Sequence, residues 1–319
     1  MRGLRLHVRE RGPERGPACV LLHGWLDSCG SFDRLAPLLS ARGVRTFALD
    51  LRGHGDSAWV GAGGFYHLAE YVADLDGVLD ALGLAGGPLA PAAATGADPG
   101  AELERRPVRL VGHSLGATVA LLYAAARPER VAHAALLDGL PIRVQPEEIP
   151  SRLTAYLSDL KLPRNRRVVD SLAQAAARVR KVSPLLREDA ALHLATTGVG
   201  PDATQGGQLS WKWDPWLRAH SPMPLLEPAF QALLPQVTAA VLVLRAGSTW
   251  LPEEAQVRER LAGLRGALTV ATLAGTSHHL HLEEPEAVAA QVLAAWGSLA
   301  DRSTDALQVA KETPLLIEK

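Results

Sequence analysis

Long apolar runs are missing from the 319-residue sequence, and none approaches the ~20 residues that a bilayer-spanning helix needs. Cysteine is nearly absent. Cys19 and Cys29 are the only two, too few for a disulfide framework, and they read as reduced thiols of a cytoplasmic protein. Neither sign of charge dominates: 33 Lys and Arg stand against 34 Asp and Glu, so no basic field exists to hold nucleic acid. The opening stretch MRGLRLHVRERGPERG holds no apolar segment of the secretory type, so no signal peptide is expected. The expectation is a cytoplasmic monomer or homodimer with no membrane or nucleic-acid partner. The wealth of Arg and Ala suggests a GC-rich bacterial genome and says nothing of function.

What is present is ample apolar material, 47% of the residues, enough for a real core. Short apolar or alternating runs predict strands over 4–9, 17–22, 44–51, 108–111, 131–137, 239–244 and 268–273. Helical spacing falls between them, over 31–41, 67–82, 115–126, 253–261 and 285–299. Strands alternating with helices predict an α/β fold with a mostly parallel sheet, whose reactive groups collect at the strands' carboxyl ends. His23, Asp50, Ser114 and Asp138 all stand at such ends. The alternation stops over about 141–222, where 152–160, 166–179 and 184–196 look helical. The expected organisation is a core over 1–140 and 223–299, a helical cap over 141–222 lying across the strand ends, and a patternless tail over 300–319. Residues 86–107, rich in Ala, Gly and Pro, read as a solvated loop.

Between a predicted strand and a predicted helix stands Gly112-His113-Ser114-Leu115-Gly116. Gly-X-Ser-X-Gly in that setting is a nucleophile elbow, a sharp turn that holds a serine in a strained conformation. Glycines are needed at 112 and 116 because a Cβ there would collide with the neighbouring strand or helix. Leu115 opens the helix, so its N–H is unpaired and available to developing negative charge.

With these motifs in hand, the chain resembles the α/β-hydrolase superfamily, and within it the serine hydrolase-like proteins. The segments carrying the likeness are HGWLDSCGSFDRLAPLL, LDLRGHGDS, VGHSLGATVALLYAAARPERV, LLDGLP, KWDPWLRAHSPMPL and GTSHHLHLEEPE, from about His7 to Trp296. The resemblance implies Ser114 as nucleophile, with Trp25, after His23-Gly24, and Leu115 as backbone oxyanion donors. It implies His278 as base, with His279 and His281 as rivals. Three histidines within four residues also invite a metal, but no cysteine or carboxylate stands at ligand spacing beside them, so no metal is expected. His23, Asp50, Arg52 and His54 read as structural, and Asp214 likewise.

The acid is the gap in the pattern. The usual superfamily position, past strand 239–244, reads Arg245-Ala246-Gly247-Ser248-Thr249-Trp250 and contains no aspartate. The resemblance offers Asp138, at the end of the strand following the nucleophile's helix, with Glu253 and Glu254 next in line. Two roles are open for Trp211, Trp213 and Trp216: an apolar acyl or aryl pocket with Trp25, His113 and Trp250, or glue between cap and core. The expected function is a serine hydrolase that cleaves an ester, thioester or lactone of an apolar small molecule through an acyl-enzyme, without a cofactor. A serine nucleophile argues against dehalogenase and epoxide hydrolase chemistry, which need a carboxylate there. Acyl transfer, carbon–carbon cleavage, or a binding protein that has lost turnover are the alternatives.

Overall fold

A computed structural model describes residues 3–61, 64–84, 106–162, 164–202, 206–297 and, for the backbone, 311–316. Eight strands form one sheet in the order β10-β1-β3-β2-β4-β5-β8-β9. They are β1 Arg5–Arg11, β2 Ala18–Leu22, β3 Arg45–Leu49, β4 Val108–His113, β5 Val131–Leu137, β8 Ala240–Ala246, β9 Leu268–Leu273 and β10 Lys311–Leu316. From β3 to β9 every pairing is parallel, while β1 runs antiparallel to β3. The central strands read as unbroken apolar runs because parallel strands are covered on both faces; Val20, Leu21, Val111, Leu136 and Val243 are all fully enclosed.

Helix α3, Leu115–Ala126, shows why this order of residues builds the site. It is rich in Ala and Leu, good helix formers, and ten of its twelve residues are buried, so it packs on all sides rather than along one stripe. Pro128 follows its end and cannot continue it. The helices α1 Leu35–Ser40, α2 Leu68–Ala81, α8 Glu254–Arg260 and α10 Pro285–Ala295 complete the alternation. Among the described residues, no helix is long and apolar enough to cross a membrane.

Between β5 and β8 lie α4 Ile149–Asp159, α5 Leu172–Val182 and α6 Glu188–Gly198. They are followed by an antiparallel pair, β6 Val199–Asp202 and β7 Gln208–Trp211, and by a short helix α7 Glu227–Leu233. Ala175, Leu186, Ala190 and Leu194 form a separate apolar cluster that closes on Leu282, in the short helix α9 Leu280–Glu283 beyond β9. His193 Nε2 donates to the Gly30 carbonyl at 2.8 Å, and Arg34 pairs with Asp189. The partners of this insertion therefore follow β2 and β9, which lays it over the carboxyl end of the sheet.

Two features differ from the sequence reading. The hairpin β6–β7 was not legible, because its strands are four residues long and carry Gly and Pro. Residues 311–316, within the expected patternless tail, pair antiparallel with β1 and extend the sheet by one strand. The loop expected over 86–107 lies, but for its last two residues, outside the described residues.

The glycines at 112 and 116 are held by close approach. A Cβ on Gly112 would stand 2.3 Å from the Gly116 carbonyl oxygen, and one on Gly116 only 2.0 Å from that of Leu22. Gly116→Ala is expected to cost about 3 kcal/mol through this overlap, lowering the thermal midpoint followed by circular dichroism by about 5 °C. An unchanged midpoint would mean that helix and strand separate without penalty.

Candidate active site

Strands β2, β4 and β5 are neighbours in the sheet, with Leu22 opposite Gly112 and His113 opposite Leu137. Their carboxyl ends therefore present the His23–Asp27 loop, Ser114 and Asp138 side by side. Among the described residues, the non-glycine residues with positive φ are Leu26 (60°), Ser114 (52°) and Asp138 (44°), one in each of these turns. Such backbone costs of order 1–3 kcal/mol per residue and persists where the surroundings over-determine it. For Ser114 the determinants are visible: its N–H donates to Leu137, Gly116 donates to the His23 carbonyl, and a Cβ on Gly139 would meet the Ser114 backbone at 2.5 Å.

Asp138 is fully buried, and each of its oxygens is accounted for. Oδ1 accepts the Ala246 N–H at 2.9 Å and the Thr249 hydroxyl at 2.5 Å, while Oδ2 faces His278 Nδ1 at 2.8 Å. The turn after β8, where the aspartate was missing, thus supplies donors to a carboxylate that comes from β5. Glu253 is 84% exposed at its side chain and lies 3.6 Å from Arg245; Glu254 bonds Thr272. Neither bonds His278. His278 stays partly exposed, and its carbonyl accepts a hydrogen bond from His113 Nε2 at 2.8 Å. Sequence reasoning missed Thr249. Its one signal was a hydroxyl standing next to the position from which the acid was absent. Glu283 was missed too; it takes the Ser277 N–H at 2.6 Å and the Ser277 hydroxyl, pinning the loop that carries His278.

The backbone N–H groups of Trp25 and Leu115 donate to no group among the described residues. The loop bearing Trp25 is braced by two histidines whose tautomers the hydrogen bonds fix. His54 Nε2 accepts the Leu26 N–H at 3.1 Å, so the proton sits on Nδ1, which donates to the Arg52 carbonyl. His23 repeats the pattern, accepting from Leu51 N–H and donating to the Gly24 carbonyl. Asp50 accepts from the N–H groups of Cys29 and Asp56 and from His7. Burial alone would raise its carboxyl, but those bonds, with that from His7 foremost, hold it well below the usual range. Arg52 grips Asp74 with two nitrogens. All four residues brace the loops, as their positions in the sequence suggested.

Neither His279 nor His281 meets a carboxylate among the described hydrogen bonds, whereas His278 meets Asp138. Burial, then the neighbouring His278, pushes His279 down to about 3, and burial with the other two rings depresses His281. The tryptophans divide. Trp213 is buried in the main core with Leu217, and Trp211 packs against both the core and the apolar cluster of the insertion. Both pack between the insertion and the core, and Trp213 and His113 are buried. Trp25 and Trp250 are each 52% exposed. The Trp25 indole donates to the Leu217 carbonyl at 3.1 Å. Beside Leu217, Trp216 borders a cleft of about 260 Å³ whose other apolar walls include Phe65, Tyr156 and Leu160. Asp214 takes the Trp216 N–H and the Tyr66 hydroxyl, a structural role.

The sequence model of the alpha/beta hydrolase family matches residues 19–291. The chain belongs to the alpha/beta hydrolase family. Among similar proteins is a serine hydrolase-like protein of Danio rerio, 35% identical over 127 residues, which are 40% of this chain and 32% of that protein. A Dictyostelium discoideum serine hydrolase-like protein is 22% identical over 91% of this chain and 78% of its own length. Epoxide hydrolase B of Mycobacterium tuberculosis is 33% identical over 41% of this alpha/beta hydrolase and 32% of its own chain. The matches to the zebrafish and mycobacterial proteins thus span about a third of each. Among solved structures, a hypothetical protein from Pseudomonas aeruginosa PAO1 is 30% identical with a TM-score of 0.76, covering 93% of this chain and 96% of that one.

The sealed ring of His54 gives this alpha/beta hydrolase a signed response to acid. Burial, then the adjacent His23, pushes His54 from about 6.5 down to about 3. Between those values the unfolded chain binds a proton that the folded chain refuses, so stability falls as the pH is lowered through that window. One such group contributes a loss of about 2 kcal/mol between pH 7 and pH 5. Urea unfolding at the two pH values measures the summed loss from His54 and the other buried histidines, and ¹⁵N spectra show that His54 takes part if its Nδ1–H tautomer persists throughout. A His54 titration midpoint near 6.5 would sink this account.

Proposed function

We propose that the chain is a serine hydrolase that cleaves a carboxylic ester through an acyl-enzyme, with Ser114 as nucleophile, His278 as base and Asp138 as acid. The observation that carries this reading is the 2.8 Å contact between Asp138 Oδ2 and His278 Nδ1. A carboxylate there keeps the proton on Nδ1 and leaves Nε2 as the basic nitrogen, and it stabilises the imidazolium that forms in the reaction.

The steps follow from those roles. Ser114 Oγ attacks the ester carbonyl carbon while His278 Nε2 takes its proton. The carbonyl oxygen, now carrying the charge, is received by the Trp25 and Leu115 N–H groups, each such donor being worth roughly 3 kcal/mol of barrier. The intermediate collapses, the C–O bond breaks, and the proton on His278 passes to the departing alcohol. Water then gives a proton to His278 and attacks the acyl group, and the carboxylic acid leaves with Ser114 restored. A serine at the elbow speaks for this route over one that begins with a carboxylate nucleophile. The exposed faces of Trp25 and Trp250 favour an apolar acyl or alcohol group.

Labelling by a fluorophosphonate, read as intact mass, tests the assignment. Wild type is expected to gain one adduct and Ser114→Ala none. His278→Ala and Asp138→Asn should label slower by about three to four orders of magnitude. Folded wild type that takes no label would reassign the fold to a binding role, and Asp138→Asn labelling at the wild-type rate would remove Asp138 as the acid.

A further inference from the structure

Beneath the proposed catalytic groups lies a second constellation, drawn from three segments far apart in the sequence. One ligand-type atom each of Asp27, His113 and His281 lies within 4.8 Å of the other two. Asp27 follows the turn that carries Trp25, His113 is the elbow residue before Ser114, and His281 opens onto the core three residues after His278. His113 and His281 are 1% and 0% exposed. Among the described residues, Asp27 Oδ2, His113 Nδ1 and both ring nitrogens of His281 are sealed from solvent without a hydrogen-bond partner.

Three residues that each bring a ligand-type atom within 4.8 Å of the others, and each hold a sealed polar atom without a partner, are costly unless something joins them. The hydrogen bonds already present determine what can. His113 Nε2 faces the His278 carbonyl, which can only accept, so Nε2 carries the proton and Nδ1 presents a bare lone pair to the cluster. A ligating histidine whose other nitrogen donates to a backbone carbonyl is the usual second-shell arrangement of a metal site, because that bond fixes ring and tautomer. Gly24 leaves the approach to His113 open: a Cβ there would stand 3.0 Å from Nδ1.

We propose that Asp27, His113 and His281 form a binding site for one zinc ion. Two imidazoles and a carboxylate, leaving a fourth position open, are a ligand set that suits zinc. Ligands held tetrahedrally at about 2.1 Å from zinc stand about 3.4 Å apart, so the side chains close by up to about 1.4 Å when the ion binds. The other cluster of this kind, His7, Cys29 and Asp50, is a weaker candidate, since Asp50 is already satisfied by three donors, one of them His7. The ion ties together the Trp25 turn, the nucleophile elbow and the loop beyond β9, and its binding does not depend on whether Ser114 turns over an ester.

The test is a zinc titration of full-length protein stripped with chelator, followed by calorimetry, for wild type, Asp27→Asn, His281→Gln and His278→Ala. Wild type is expected to bind one equivalent of Zn²⁺, with affinity falling at least about tenfold in Asp27→Asn and His281→Gln and holding in His278→Ala. Asp27→Asn keeps the side chain's size, so it serves where His281→Gln fails to fold, with circular dichroism as the check on folding. A crystal soaked in Zn²⁺ should show anomalous scattering at the zinc edge between the three side chains. No binding by wild type, undiminished binding by folded Asp27→Asn, or loss in His278→Ala would overturn the site. Fluorophosphonate labelling is a separate readout, so a failure of the hydrolase reading and a failure of the zinc site are told apart.

Discussion

The carboxyl end of the sheet is organised around one buried carboxylate. Asp138 has no solvent to carry its charge, and a buried charge is tolerated only when paired and hydrogen-bonded. Its three partners come from two other segments: Ala246 at the end of β8 with Thr249 in the turn that follows, and His278 from the loop after β9. Satisfying that one group therefore draws three loops into register. The strand order makes the arrangement possible, because β5 lies between β4, which carries Ser114, and β8, which carries the donors.

Strain and tautomer control work beside that anchor. The three positive-φ residues sit in the three turns that bring the site together, and each is held by groups that cannot move independently. The Ser114 backbone is enclosed by the Leu137 carbonyl and by Gly139. Leu26 is fixed by a histidine that is itself locked by a carbonyl. Buried imidazoles used as neutral acceptors give rigidity with a defined direction, since a backbone N–H on one nitrogen dictates a proton on the other.

The insertion contributes packing more than chemistry. Trp211 and Trp213 lock it to the core, while the Trp25 indole joins the loop after β2 to Leu217. The aromatic groups that remain exposed belong to both units: Trp25 and Trp250 to the sheet's loops, Trp216 to the insertion.

The elbow was legible in the sequence because it is local: strand, Gly-X-Ser-X-Gly and helix follow one another, and the glycines are required by contacts within that same turn and with the adjacent strand. The parallel strands were legible because burial on both faces leaves an apolar run. The short hairpin β6–β7 and the edge strand 311–316 were not, since neither carries enough alternation to stand out. The choice among Asp138, Glu253 and Glu254 could only be stated, not made. Those carboxylates differ in which way their side chains point across the sheet, and that follows from strand order and register, not from neighbours in sequence. The same holds for Asp27, His113 and His281, which are separated by up to 254 positions and share one buried space. The sequence by itself determined the fold class, the sharp turn at Ser114 and the presence of a histidine after the last core strand, because local spacing dictates them. Only the tertiary structure decided which carboxylate meets that histidine and which polar groups lie sealed beneath it, because those contacts join segments that chain order leaves apart.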